Sequence, residues 1–253
     1  MIEIEPAEFD HGATRNLAAE TAAGDVLVFL SQDAEPAHDG WLGALLAPLA
    51  TDERVAGVYG RQLAREEAVP PERYFLDYLY GPALRTQGLD AAGGGPTVET
   101  TMFSNANAAI RRSWWERFRF AEDLIMSEDQ DWARRVLLAG GLLVYEPAAA
   151  VRHSHPYTIG TAFRRFFDSG VSAERAYLAG AGAPAALRAT AWRYARGEVA
   201  WLVRSGNARW IPYAGVYELA KFTGLQLGRN HRRLPRPLRR AFSNHRAWWD
   251  RNN

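Results

Sequence analysis

The run Gly24-Asp25-Val26-Leu27-Val28-Phe29-Leu30-Ser31-Gln32-Asp33 (GDVLVFLSQD) decides the fold class. Five consecutive apolar residues, β-branched and aromatic among them, stand between Gly-Asp and a polar exit, which is the pattern of a strand. Because no polar residue alternates with them, the strand is expected to be buried on both faces, as inside a parallel sheet. Upstream, residues 14–23 are rich in Ala and Glu and stop at Gly24, so they predict a helix. Downstream, Asp39 is placed to cap a helix running to Ala50, with Trp41, Leu42, Leu45, Leu46 and Leu49 on its apolar side. Residues 55–59 read as the next strand. Helix and strand therefore alternate, which predicts an α/β fold.

Further along, residues 80–96 turn to Gly, Pro, Gln and Thr and read as a long loop. Its Gly93-Gly94-Gly95 run lacks the preceding strand and following helix that a phosphate cradle requires. A strand is expected over 97–103, a short helix over 113–118, a helix over 127–139 and a short strand over 142–145. Ser127 and Gln130 stand at capping-box spacing at the start of that second helix. Past residue 160 strand signals cease, and 162–179, 184–203 and 211–227 all read as amphipathic helices. The chain divides accordingly into 1–160 and a helical 161–253. Seven arginines and no acid fall between Arg229 and Arg246, interrupted by Pro235 and Pro237, and Trp248-Trp249 follow. Arginine and tryptophan together suit an anionic lipid surface, which makes this segment a candidate membrane-docking region; the alternative is that it folds back on the rest of the chain. The two prolines argue against a helix that reads nucleic acid.

The chain has 253 residues, 47% of them hydrophobic, and a formal net charge of +1, so it can bury an ordinary core. It contains no cysteine, which excludes disulfides, thiol nucleophiles and thiolate metal sites; any metal must take oxygen or imidazole ligands. The opening residues do not form a secretory signal, and no apolar run is long enough to span a membrane. The expectation is a cytoplasmic protein, with peripheral attachment to the inner face of the cell membrane as its variant.

Three groups could carry chemistry. Asp33 stands where a buried strand ends, the place where ligands gather in open α/β sheets, and a carboxylate there can hold a hard cation against a diphosphate; it could equally cap the turn before Pro36. Glu128 and Asp129 fall in a first helical turn, where acids are also favoured simply by the helix dipole. His153 and His155 alternate on an extended segment and point to one side, fit to ligate one metal or orient one phosphate, or to decorate a surface.

In their order and company these pieces resemble the family-two glycosyltransferases of GT-A fold, within them the rhamnosyltransferase-like branch that makes bacterial polysaccharides. The blocks are FDHGATRN (9–16), GDVLVFLSQDAEP (24–36), TTMFSNANAAIRRSWW (100–115), SEDQDWARRVLLAGG (127–141), and VRHSHPYT with FRRFFDSG (151–170); LGRNHRRLP from Leu227 is similar to the tail of that branch. The resemblance implies a GT-A-like, Rossmann-like mixed sheet flanked by helices, with a C-terminal helical region. It implies transfer of a sugar, for example L-rhamnose from dTDP-rhamnose, from a nucleotide donor to a glycan or lipid-linked acceptor hydroxyl with inversion.

Carried over, Asp33 becomes the second acid of a metal-binding DxD motif in which Ser31 replaces the first. Asp129 becomes the general base, with Glu128 orienting it and with a pKa lowered by the helix dipole. His153 and His155 become ligands of a divalent cation, Mg or Mn, while Arg15, Asn16, Arg164 and Arg165 join Ser31 and Asp33 as donor contacts. In the family a first strand, a helix and a second strand precede the block that starts here near Ile4. The chain is thus expected to lack these first strands and to hold a nucleotide weakly. The competing expectation is a non-catalytic truncated fragment or accessory chain that keeps acceptor-binding or membrane-binding surfaces.

Overall fold

The computed structural model describes residues 2–5, 8–89, 95–178 and 184–252, and among the side chains not those of 184–189. Part of the glycine-rich stretch, 90–94, and the end of the helix expected to reach 179 lie outside them.

The chain opens with α1 (His11–Thr21), capped by Asp10, whose carboxylate accepts from the backbone N–H groups of Gly12 and Ala13. Then come β1 (Val26–Leu30), β2 (Glu35–Pro36), α2 (Trp41–Leu46), β3 (Val55–Leu63), α3 (Pro70–Leu79), β4 (Arg85–Gln87), β5 (Asn107–Arg111), α4 (Arg112–Arg117), α5 (Glu128–Leu138) and β6 (Leu142–Arg152). The rest is helical: α6 (Ile159–Ala173), α7 (Pro184–Arg204), α8 (Ile211–Arg229), α9 (Arg236–Phe242) and α10 (Arg246–Arg251). The strands form one mixed sheet in the order β1-β5-β3-β6-β2, with β4 also on β6; β3 and β6 run parallel and the other pairs antiparallel. The expected mixed sheet flanked by helices is thus present.

Several local expectations are corrected. β1 pairs antiparallel with β5 and forms one end of the sheet, and its Val28 and Leu30 are exposed, so this strand is not buried on both faces. Residues 97–101 form a turn rather than a strand, and the strand lies at Asn107–Arg111. There Ala108 meets Phe29 on one side and Tyr59 on the other, so small side chains on this inner strand admit large neighbours. Asp39 does not cap α2, which starts at Gly40 without a side-chain cap. Part of the expected loop, Arg85–Gln87, is β4, pulled into the sheet by β6.

β6 continues well past Tyr145. Its Pro147 falls in a bulge, because the register on β3 jumps from Gly60 opposite Glu146 to Gln62 opposite Val151. The bulge presses the Ala149 carbonyl so close to Gly60 that a Cβ there would lie 1.9 Å from its oxygen, so only glycine fits.

The C-terminal helices are held by close backbone contact. A Cβ on Gly170 of α6 would meet the Leu225 carbonyl oxygen at 2.3 Å, and one on Gly224 or Gly228 of α8 would meet the Phe163 or Phe167 carbonyl oxygen at 2.3 and 2.0 Å. Trp249 is buried with Phe167 and Ile125, and the Asp168 carboxylate accepts from the Asn244 N–H at 2.9 Å. The segment expected on lipid therefore folds back through its second tryptophan, which the core contact withdraws from any surface. Among the described residues no helix is long and apolar enough to cross a membrane.

Candidate active site

Strand pairing assembles the first half of the site. After β1 the chain turns at Ser31, whose carbonyl accepts from the Ala34 N–H at 2.9 Å, and then enters β2, where Glu35 faces Arg152 and Pro36 faces Val151. Continued outward, that register sets Asp33 beside the segment that follows β6. The Asp33 carboxylate lies 3.3 Å from His153 Nε2 and 3.5 Å from His155 Nδ1, and ligand atoms of all three residues fall within 4.8 Å of one another. His153 is buried, His155 half-buried and Asp33 open to solvent, so the cluster has a sealed floor and an accessible mouth.

Burial lowers the pKa of both histidines, for His153 with help from His155; the Asp33 carboxylate opposes this and Arg165 supports it, and the net direction is downward, so both imidazoles stay neutral and able to donate a lone pair near neutral pH. Two imidazoles and one carboxylate could together hold a divalent cation, and imidazole donors suit Mn better than Mg, which prefers oxygen donors throughout.

The second half is the start of α5. Ser127 stands there in the left-handed region at φ 66° and makes no side-chain cap, so the expected capping box is not formed. Glu128 is buried in an ion pair with Arg15, contributed by α1. Asp129 accepts from the backbone N–H of Asn105 at 3.2 Å and of Gln130 at 2.9 Å. Its pKa is pushed up to about 7, first by burial and then by the charge of Glu128, against the opposing pull of Arg15 and the two N–H donors. This corrects the expectation of a lowered value: desolvation and a like charge outweigh the helix dipole. A carboxylate poised near neutrality is suited to accept a proton.

One buried network joins the halves. Gln62 of β3 lies 2.8 Å from His153 Nδ1 through Oε1, while its Nε2 donates to the Tyr80 hydroxyl at 2.7 Å and to Ser104 Oγ at 3.0 Å. Ser104 precedes Asn105, whose N–H holds Asp129, and the Ser31 N–H donates to the Ala106 carbonyl at 3.0 Å. The loop from Ser104 to Ala106 thus touches the turn before Asp33, the floor under His153 and the carboxylate of Asp129.

The remaining expected residues separate. Arg165 of α6 lies over the Tyr157 ring and adds its charge to the surroundings of His153 and His155; it and neighbouring Arg164 are both exposed. Arg15 is engaged by Glu128. Asn16 is corrected as a donor contact: its amide donates to the Phe120 carbonyl and to Glu122, and accepts from Trp115 Nε1 and the Phe120 N–H, which uses all its hydrogen-bonding capacity inside the fold.

Residues not expected from the sequence also line the site. Arg65 donates to the Asp33 carbonyl at 2.5 Å, and Glu72 of α3 accepts from the His155 N–H at 2.6 Å. Asn105 is buried, and neither polar atom of its side-chain amide has a partner within the protein. Only the SNAN context of Asn105 was visible beforehand; nothing in the sequence marks Gln62, Arg65 or Glu72.

Comparison with known proteins gives this geometry its setting. The model of the family described as glycosyl transferase family 2 matches residues 4–118. The O-antigen chain rhamnosyltransferase WbaN of Salmonella anatum is 36% identical over 258 aligned positions, which cover 99% of this chain and 79% of that protein. The O-antigen chain rhamnosyltransferase RfbN of Salmonella typhimurium is 34% identical with the same coverage. Among solved structures, the mannosyltransferase PcManGT from Pyrobaculum calidifontis, in complex with GDP-Man and Mn2+, aligns with 94% of this chain and 64% of its own at 16% identity and a TM-score of 0.45. With a relative this similar along nearly its whole length, the chain belongs to glycosyl transferase family 2 and has O-antigen chain rhamnosyltransferases among its relatives.

Proposed function

We propose that this chain transfers a sugar from a nucleotide donor, dTDP-L-rhamnose or a close equivalent, to a hydroxyl of a glycan or lipid-linked acceptor, with inversion at the anomeric carbon. The observation that carries this reading is the convergence, through one buried network, of the Asp33, His153 and His155 cluster with a carboxylate poised near neutrality. Asp33, His153 and His155 would hold the divalent cation, and such an ion, when bound, neutralises charge on the donor diphosphate. Arg165 adds positive charge beside them. Asp129 takes the proton of the acceptor hydroxyl while the oxygen forms its bond to the anomeric carbon. The bond from that carbon to the diphosphate oxygen breaks, and its electron pair leaves with the nucleotide. The Asn105 and Gln130 N–H groups hold the Asp129 carboxylate, and the charges of Glu128 and Arg15 adjust its proton affinity.

Calorimetry with dTDP-L-rhamnose in the presence of Mn, followed by a transfer assay that reports the anomeric configuration of the product, tests the proposal. Retention of configuration, or donor affinity indifferent to chelation, would reject it.

We propose that exposed apolar residues of α7 and α8 contact an anionic membrane. Trp192, Val199 and Val203 on α7 and Val216, Leu219 and Phe222 on α8 are exposed, with Arg193, Arg196 and Arg204 beside them. Of the acids of these helices, Glu218 is paired with Lys221 and Glu198 is buried. Leu219→Asp should weaken salt-sensitive binding to vesicles containing anionic lipid; unchanged binding would place the contact elsewhere.

A further inference from the structure

We infer that Gln62 is a positioning residue that fixes the tautomer of His153, holding the proton on Nδ1 and turning the Nε2 lone pair toward Asp33. For its purpose the inference rests on the metal reading above, while its content, the state of one ring, can be measured without a metal.

The amide of Gln62 has two N–H donors and one oxygen. The Tyr80 hydroxyl, at 2.7 Å, and Ser104 Oγ, at 3.0 Å, stand at the nitrogen, which leaves the oxygen to face His153 Nδ1 at 2.8 Å. An amide oxygen can only accept, so Nδ1 must donate. A neutral ring carrying its proton on Nδ1 has a bare Nε2, and that atom is the one 3.3 Å from the Asp33 carboxylate. Its lone pair and the carboxylate then face the same space, which a cation would fill.

The opposite tautomer would close the gap by a hydrogen bond to Asp33 and leave no lone pair for a metal. Both Gln62 and His153 are buried, so water does not compete for the Nδ1 proton. The β6 bulge is what sets Gln62 opposite Val151, two residues short of His153, and so brings the amide under the ring. An orienting partner of this kind typically changes metal affinity by about 10–100-fold.

The experiment uses the full chain with 15N-labelled histidine, free of metal, and long-range proton–nitrogen correlations, with His153 assigned by comparison with His153→Ala. Nδ1 should be protonated and Nε2 bare in the parent protein. A proton on Nε2 there overturns the inference. Gln62→Glu keeps an acceptor, since the Tyr80 and Ser104 hydroxyls can turn to donate, and should preserve the tautomer. Gln62→Leu removes the acceptor and should release the ring to the Nε2–H form.

With Mn alone as the probe, Gln62→Leu should bind about 10–100-fold more weakly, and Gln62→Glu should restore the parent affinity. Equal affinity in the Leu variant and the parent, or failure of Glu to restore it, refutes the positioning role. If the parent itself binds no Mn, the metal reading of Asp33, His153 and His155 falls, and the tautomer measurement still decides the role of Gln62.

Discussion

Asp129 stands in the first turn of α5, its carboxylate drawn inward beside Glu128, whereas His153 and His155 stand on the segment leaving β6 with Asp33 at the mouth of their cluster. Burial acts on both places and moves them oppositely: the carboxyl of Asp129 goes up to about 7 and the two imidazoles go down. The physical cause is one, since a low-dielectric surrounding disfavours charge of either sign. The outcome is a carboxyl that can pick up a proton near neutrality and, a few residues of network away, imidazoles that stay unprotonated. The comparison teaches that the site draws its two chemistries from where each group sits relative to solvent, with charge partners as corrections.

The sharpest way to break this division is to remove one half and read both. Asp129→Asn should leave metal-dependent donor binding nearly unchanged and lower turnover by roughly 100-fold or more, as loss of a general base does. Turnover near the parent would show that the carboxylate does not take the proton. Asp33→Ala should do the reverse first: the difference in donor affinity between Mn and chelator disappears. If that difference survives in a calorimetric titration, Asp33 is not a ligand.

A smaller effect sharpens the comparison. Arg15 opposes the rise in the Asp129 pKa, so Arg15→Leu should push it higher and move the limb of kcat/KM that rises with Asp129 ionisation to higher pH. A pH profile that only scales down, without moving, would mean that Arg15 acts on folding alone.

The smallest expected effect is on stability. A carboxyl whose folded pKa lies above its unfolded value of 3.8 binds more protons in the native state, so its contribution is fully present below about pH 4 and is lost as pH rises toward and through 7. Asp129→Asn should therefore flatten the fall of Tm with pH across that window. An unchanged slope would place the source of the pH dependence elsewhere, with buried Asp168, raised to about 6, the next residue to substitute.

How much of this was legible beforehand differs between the halves. Asp33, Asp129 and the His153, His155 pair could be read in the sequence because each sits at the end of a strand or the start of a helix, where side chains face a crevice. The direction of the Asp129 shift could not, because the dipole of α5 is a local property and desolvation is not. The 97–103 segment carries a strand-like pattern and forms no strand, while β5, built from Asn-Ala-Ala-Ile-Arg, carries little apolar bulk and sits inside the sheet between β1 and β3. Small residues there are a consequence of large neighbours on two other strands, which no window along the chain contains.

The sequence by itself determined the alternation of helix and strand, the helical C-terminal region, the exclusion of thiol chemistry and the identity of the charged groups, because these depend on residue type and local period. Tertiary structure alone decided that β1 lies at a sheet end, that Trp249 turns inward, that Asn16 is spent within the fold and that Gln62 comes under His153. Each of these depends on pairing between residues distant in the chain, and a single bulge in β6 is enough to choose which side chain meets which.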